Sequence, residues 1–238
     1  MSKSFQLIFL STLLLLVSCN KKMSDIEFEK NVMTEIFPDL IDSLCIDYRT
    51  FPSPPPIYGE VIYDNEGNYV STDSTKGTEK QKQEIVDWKR NKDSIYKAIE
   101  KDTSKLIVAF DPKIKKSSKD LKEYLEAYFK GAKIFNPKIE GDSTYTIDYK
   151  SIPLKGKFEL RNMSEFPKDR YEFWRKKYDF IFAGAIYFSR IQFDKERKYG
   201  VLDGGFSCGR HCGFGVRIYI KKVNDKWIID KIDNTSVS

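Results

Sequence analysis

Residues 180–232 restrict the fold of this 238-residue chain more than any other stretch. Their apolar residues alternate with polar ones between short turns, which is the period-two pattern of half-buried strands. Two of the apolar segments flank a glycine-rich turn, Cys208-Gly209-Arg210-His211-Cys212-Gly213, and a later turn at Asn224-Asp225 leads into a strand with Trp227. We therefore predict four consecutive strands, with the cysteine turn at the tip of a β-hairpin.

The N-terminal half of the chain contains helix signals. Ser24-Asp25-Ile26-Glu27 has the form of a capping box, which starts a helix. We expect Pro38 to end this helix or to begin a second short one, because proline removes a backbone donor. The run Phe51-Pro52-Ser53-Pro54-Pro55-Pro56 predicts a stiff extended spacer. Residues 79–101 have apolar side chains at helical spacing, which predicts an amphipathic helix with one face on the core.

The remaining elements are short and alternate between strand and helix. They are a hairpin around the turn 64–67, strands at 106–110, 145–149 and 157–160, and helices at 118–129 and 168–178. This order predicts an α+β fold in which helices pack on a largely antiparallel sheet. Aromatic residues make up 14% of the chain, which supplies enough bulk for a sizeable core.

The first 18 residues are typical of a secretion signal. Lys3 supplies a positively charged N-terminal region, and the apolar run 5–17 is shorter than the roughly 20 residues that span a bilayer. The run ends in Leu16-Val17-Ser18-Cys19, which resembles the lipobox of bacterial lipoproteins. In such proteins the cysteine is lipidated and becomes the mature N-terminus. We therefore predict acyl chains such as palmitate on Cys19, the alternative being an ordinary cleaved signal with a chance cysteine.

The predicted segments are thus a signal peptide at 1–18, a region with the lipid anchor, N-terminal helices and proline-rich spacer at 19–59, and a globular domain at 60–238.

Removing the signal takes away one lysine and leaves 40 basic against 35 acidic residues, a net charge of +5. The basic blocks are interleaved with acids elsewhere, so we interpret them as solvated faces and predict no nucleic-acid partner. Anionic head groups or polysaccharide remain candidate partners.

Cys208 and Cys212 lie four residues apart in a compartment that oxidises thiols, so we predict a disulfide between them. Three alternatives stay open: a reduced structural pair, a metal site formed with His211, and a nucleophilic thiolate with His211 as its base. A closed zinc site usually takes four ligands, and no fourth lies nearby in the sequence. We interpret Cys45 as a small buried residue.

Motifs of the common enzyme classes are missing from the sequence. It contains no phosphate-binding loop, no Gly-x-Ser-x-Gly and no His-Glu-x-x-His, and His211 is the only histidine. Asp203, Asp230 and Asp233 have no spacing suited to acid–base work, so we interpret them as surface charges. We predict no catalytic residue, no cofactor and no resident metal.

Several of these features occur together in one known group. The lipobox, the passage Ile36-Phe37-Pro38, the proline run and the ending Cys208-Gly-x-x-Cys212-Gly-x-Gly resemble uncharacterised lipoproteins of the Bacteroidota. The resemblance implies an anchored envelope protein without an established activity. The last strand pair, with Trp227 and Ile229, looks like the end of cystatin-like and nuclear-transport-factor-like folds, which have a curved sheet. That likeness concerns the fold and implies no function.

Taken together, the sequence predicts a lipid-anchored protein of the bacterial cell envelope, at the outer rather than the inner membrane. We expect a binding or interaction module whose sheet holds a ligand, an envelope protein or a polysaccharide. The alternative function is a thiol- or metal-dependent enzyme centred on Cys208, His211 and Cys212.

Overall fold

The computed structural model describes residues 23–50, 54–134 and 144–237. The predicted signal peptide and Cys19 lie outside these residues, as do the first three positions of the proline-rich run. Within the described ranges the protein is a mixed α+β structure with four α-helices and a large, mostly antiparallel sheet. The sheet does not close into a barrel. The predicted α+β class is therefore confirmed.

The four helices are α1 (Asp25–Leu44), α2 (Glu79–Lys101), α3 (Lys122–Tyr128) and α4 (Arg170–Arg175). The bounds of α2 agree with the prediction, whereas α3 and α4 are shorter than predicted. α4 begins where the Asp169 side chain accepts hydrogen bonds from the backbone N–H groups of Tyr171 and Glu172. In the part of the chain that the structure describes, no helix is long and apolar enough to cross a membrane.

The strands are short near the middle of the chain and long at its end. They are β1 (Glu60–Tyr63), β2 (Tyr69–Asp73), β3 (Leu106–Phe110), β4 (Lys113–Ile114), β5 (Tyr145–Thr146), β6 (Phe158–Asn162), β7 (Ile181–Phe188), β8 (Gln192–Phe193), β9 (Tyr199–Gly209), β10 (Cys212–Val223) and β11 (Lys226–Val237). β1 pairs with β2 as the predicted hairpin, and β4 pairs with β5. The other seven strands form the central sheet in the order β11-β10-β9-β7-β3-β6, with β8 beside β9.

The central sheet has an antiparallel and a parallel half. β7, β9, β10 and β11 pair antiparallel, which matches the predicted consecutive strands. β3 pairs in parallel with both β6 and β7, which the sequence did not predict. Parallel neighbours require a crossover connection that usually contains a helix. α3 lies in the connection from β3 to β6, and α4 lies in the connection from β6 to β7.

α1 continues through Pro38, so the prediction that this proline ends the helix is wrong. A proline inside a helix removes one hydrogen bond and costs about 3 kcal/mol. Burial offsets this cost, because Ile36, Phe37 and Leu40 are fully buried against the sheet and each contributes about 1.5–3 kcal/mol. α1 and the sheet form one hydrophobic core, although the predicted domain boundary at residue 60 separates them along the chain.

A buried ion pair fixes α1 on the sheet. Glu29 of α1 is 2% exposed, and its Oε2 atom accepts hydrogen bonds from Nε and Nη2 of Arg190 at 3.0 and 2.6 Å. Its Oε1 atom accepts the backbone N–H of Ile191 at 2.9 Å. Tyr145 lies beside the pair, and burial together with the Glu29 charge raises the pKa of its hydroxyl. Both carboxylate oxygens of Glu29 are therefore satisfied away from water.

The other face of the sheet is covered by α3 and α4. Alternate residues of β3 belong to different hydrophobic clusters, because successive side chains of a strand point to opposite faces. The clusters on the second face are Leu121, Leu125, Phe129, Val201 and Tyr219 at α3, and Ile107, Ala109, Phe166 and Phe173 at α4. The fold therefore has three layers, with the sheet in the middle.

α2 does not pack on the sheet, which corrects the prediction that one of its faces lies on the core. None of its 23 residues is buried. The contacts at its two ends are polar: the Gln81 side chain exchanges hydrogen bonds with the backbone of Gly59, and Lys157 donates to the carbonyl oxygen of Ile99. The apolar spacing correctly predicts an amphipathic helix, but the sheet does not cover the apolar face of α2.

Replacing Glu29 with glutamine should destabilise the protein by about 3–5 kcal/mol, because the buried Arg190 charge would lose its carboxylate. Urea unfolding followed by tryptophan fluorescence measures this change in the free energy of unfolding. The control is Glu27→Gln on the exposed side of the same helical turn, for which we expect a change within about 0.5 kcal/mol. Equal effects of the two substitutions would contradict the role given to Glu29.

Candidate ligand-binding cleft

The predicted disulfide between Cys208 and Cys212 is present and closes the β9–β10 hairpin. Arg210 and His211 form its two-residue turn, and the two cysteine α-carbons are 5.1 Å apart. Gly209 pairs with Cys212 and Ser207 pairs with Gly213, so Cys208 is the extra residue of a β-bulge. The disulfide therefore fixes an irregular hairpin tip rather than closing a long loop.

The structure does not assemble the alternative thiol or metal site. The sulfur atoms of Cys208 and Cys212 are bonded to each other, and His211 is exposed on the turn. Among the described residues, no group of three or more His, Cys, Asp or Glu side chains could hold a metal ion. Cys45 is a buried free cysteine, and burial raises the pKa of its thiol, which opposes formation of a thiolate.

A cleft of about 870 Å³ opens beside the disulfide hairpin, on the face of the sheet that carries α4. One wall follows the carboxyl end of β3 at Asp111, and the other follows the end of β6 from Asn162 into α4. The floor consists of Ala185 from β7 with Ser207 and Gly209 from β9. Clefts outside the carboxyl ends of parallel strands are frequent ligand sites, because loops of variable sequence meet there.

The walls of the cleft are strongly basic. Lys113 and Lys115 line it from the segment after β3, and Lys168 and Arg170 line it from the start of α4. Asp111 is the one carboxylate among the lining residues, and its Oδ2 atom lies 3.9 Å from Nζ of Lys115. All four cationic side chains are exposed, so they can move to meet a ligand. The electrostatics of the cleft favour an anion.

An aromatic wall gives the cleft an apolar part. Phe166 and Phe173 are buried and line it together with the half-buried Trp174. The ring centroids of Phe173 and Trp174 are 4.7 Å apart in an edge-to-face arrangement, and Phe182 of β7 supports Trp174 at 5.7 Å. These contacts hold the indole in place, so the cleft combines a fixed aromatic surface with mobile cations.

The turn of the disulfide hairpin contacts α4 through an aromatic ring. The guanidinium carbon of Arg210 lies 4.9 Å from the ring centroid of Tyr171, and that of Arg175 lies 3.8 Å from the same centroid. Cation–π contacts of this kind contribute about 0.5–1 kcal/mol at exposed sites. Arg210 therefore connects the disulfide hairpin to α4, a contact that its place in the sequence does not reveal.

Small residues next to the cleft make room for Tyr187. A β-carbon added to Gly205 would lie 2.6 Å from the Tyr187 ring, and one added to Gly215 would lie 2.7 Å from Oγ of Ser236. Neither glycine has a positive φ, so the backbone conformation does not require a glycine at these positions. They serve close packing instead. Burial and the Asp203 carboxylate raise the pKa of the half-exposed Tyr187, which keeps its hydroxyl protonated.

Asp203 is not the surface charge that the sequence analysis assigned. Its carboxylate accepts hydrogen bonds from Nε of the buried Arg217 at 3.0 Å and from the Ser117 hydroxyl at 2.7 Å. The ring centroid of Tyr124 lies 3.4 Å from the guanidinium carbon of Arg217. Arg217 interrupts an otherwise apolar strand, and that was the signal in the sequence for a buried partner. This network ties α3 to the middle of the sheet.

The comparisons with known proteins give no family. No protein-family model matches the chain, and no curated protein or solved structure is significantly similar to it. The candidate site therefore depends on the geometry of this chain alone.

The cleft residues were largely absent from the sequence interpretation. The basic blocks of the sequence are interpreted as solvated faces, and Trp174 lies within the predicted helix 168–178. A sequence shows which cations are close along the chain, but these four come from two segments more than 50 positions apart. Their proximity depends on the parallel pairing of β3 with β6, which the sequence did not predict.

Replacing Cys208 and Cys212 together with serine should lower the free energy of unfolding by at most about 2 kcal/mol, because the closed loop is short. Urea unfolding of the oxidised wild-type protein and the double variant measures this difference. His211→Ala is the matched control, since an exposed turn residue should leave stability unchanged within about 0.5 kcal/mol. If His211→Ala lowered the free energy of unfolding as much as the double variant does, the result would instead favour a site built on the histidine.

Proposed function

We propose that the protein is a binding module of the bacterial cell envelope, held at the membrane by lipid on Cys19, whose cleft beside the disulfide hairpin binds an anionic ligand. The observation that carries this proposal is the convergence of Lys113, Lys115, Lys168 and Arg170 around an aromatic wall. The lipobox and the resemblance to Bacteroidota lipoproteins support the location. Outer-membrane attachment and a cystatin-like curvature of the sheet belong to the same proposal.

An acidic oligosaccharide is the ligand class that fits this combination best. Its carboxylates or sulfates would pair with lysine and arginine, and the apolar faces of its rings would pack on the indole of Trp174. Each exposed ion pair contributes about 0.2–1 kcal/mol and weakens as salt rises. We therefore expect moderate affinity with strong salt dependence. A polysaccharide partner also suits a protein of the cell envelope.

Reversing two charges of the cleft should remove most of the binding. We expect Lys168→Glu with Arg170→Glu to weaken binding of oligogalacturonides at least about tenfold, equivalent to about 1.4 kcal/mol. Isothermal titration calorimetry on the full-length protein in detergent, at low and at high salt, measures this effect. The control is Lys80→Glu with Lys97→Glu, which makes the same charge change at exposed positions of α2.

The proposal fails if the control pair loses as much affinity as the cleft pair, or if neutral maltooligosaccharides bind equally well. Trp174→Ala separates the two parts of the site. It should weaken binding of the acidic ligand while leaving the salt dependence unchanged, because the indole carries no charge. A change of salt dependence with Trp174→Ala would place the ligand elsewhere.

The lipid anchor has a separate test. Cys19→Ala should abolish acylation, so the N-terminal peptide of the variant should lack the mass of the acyl chains. The wild-type protein should need detergent for its release from membranes, whereas the variant should not. Mass spectrometry of that peptide and membrane fractionation measure both properties. Cys45→Ala is the control and should keep the lipid. An unmodified wild-type Cys19 would contradict membrane attachment through lipid.

A further inference from the structure

Tyr187 is a large aromatic residue that stays exposed in the middle of the central sheet. It belongs to β7, which pairs with β3 on one side and with β9 on the other. In the part of the chain that the structure describes, Tyr187 is nevertheless 55% exposed. Its neighbours Ile186 and Phe188 are buried in the core under α1. Because successive side chains of a strand point to opposite faces, Tyr187 lies on the face of the cleft.

The floor of the cleft leads directly to Tyr187. Ala185 lines this floor and precedes Tyr187 by two positions on β7, a step of about 7 Å. On β9, Ser207 pairs with Ala185 and also lines the floor, and Gly205 pairs with Tyr187. The floor therefore continues along both strands as a shelf, which we call the Tyr187 shelf and which consists of Tyr187, Gly205 and Gly215.

The two glycines let the Tyr187 ring lie down on the sheet. A β-carbon added to Gly205 would lie 2.6 Å from Cε1 and 2.9 Å from Cζ of the ring, and one added to Gly215 would lie 3.7 Å from its hydroxyl oxygen. Both glycines are buried. The ring therefore covers the backbone of β9 and reaches towards β10. Its exposed part is an apolar surface with a hydroxyl group at the edge.

Two cations of the cleft run past the Tyr187 shelf on the same face. Ile114 is fully buried in the core under α1, so the side chains of Lys113 and Lys115 point to the opposite face. Lys115 forms a parallel β-bridge with Ser189, two positions beyond Tyr187. A ligand that lies on the Tyr187 ring would therefore meet positive charge beside it.

The rings of Tyr187 and Trp174 belong to different parts of this surface. Phe182, which supports Trp174 at 5.7 Å, precedes Tyr187 by five positions of β7 with one bulge between them. The strand rise makes this separation about 13–16 Å. A single sugar ring is too short to contact both aromatic residues. A chain of several units can contact both, with its charges near the cations of α4 at one end and near the segment 113–115 at the other.

We propose that Tyr187 is a second aromatic subsite of the cleft, on which a further sugar unit of an acidic oligosaccharide packs. This inference rests on the proposed function, because it takes the same class of ligand. Tyrosine supplies a large, rigid contact area with one polar group, which suits a sugar ring with an apolar face and hydroxyls at its edge. The basic walls then select the charge of the ligand, whereas the Tyr187 shelf selects its length.

The dependence of affinity on ligand length tests this subsite. We expect Tyr187→Ala to weaken binding of hexagalacturonate about three- to tenfold, the size of an aromatic packing contribution. Binding of trigalacturonate should stay unchanged, because a trimer can occupy the Trp174 part of the cleft alone. Isothermal titration calorimetry on the full-length protein in detergent at low salt measures both affinities. The matched control is Tyr63→Ala, which removes a tyrosine that is 60% exposed on β1 and should change neither affinity.

A second variant separates the ring from its hydroxyl group. Tyr187→Phe keeps the ring and should bind hexagalacturonate as the wild-type protein does, whereas an affinity as low as that of Tyr187→Ala would overturn the packing role. Equal affinities of the wild-type protein and Tyr187→Ala for hexagalacturonate would overturn the subsite and leave the proposed function intact. A wild-type protein that binds neither oligomer would overturn both. Trp174→Ala should differ from Tyr187→Ala by weakening the binding of both oligomers.

Discussion

The fold depends on the buried ion pair between Glu29 and Arg190, since it joins α1 to the segment that follows β7. Removing two charged groups from water costs free energy, and a buried ion pair offsets this cost only when its hydrogen bonds satisfy both groups. Here both Glu29 oxygens are used, one by the guanidinium and one by the backbone of Ile191. The pair therefore adds a specific polar contact to the apolar packing that positions α1 on the sheet.

The two faces of the sheet are covered by different elements. α1 packs on one face of the sheet, and the second face carries the small clusters at α3 and α4 with an uncovered part between them. Ala185, Ser207 and Gly209 are too small to fill this space, so a cleft remains. The disulfide fixes the adjacent hairpin tip, and Arg210 contacts Tyr171 on α4. The cleft is thus a consequence of covalent and polar constraints at its rim.

The sequence predicted what depends on local pattern and missed what depends on pairing across the chain. The strands β9, β10 and β11, the disulfide and the full length of α2 follow from period, turn residues and cysteine spacing. Pro38 was misjudged because the burial of Ile36 and Phe37, which offsets its cost, is a tertiary quantity. Asp203 was misjudged because its partner Arg217 is 14 residues away and meets it only through strand register. The cleft was missed for the same reason, since its cations meet only when β6 lies parallel to β3.

α2 shows why an amphipathic pattern does not by itself locate a helix on its own core. α1 packs on one face of the sheet and α3 and α4 pack on the other, whereas none of the residues of α2 is buried. Helical spacing determines which side chains share one face of a helix, but the tertiary arrangement determines which element contacts that face.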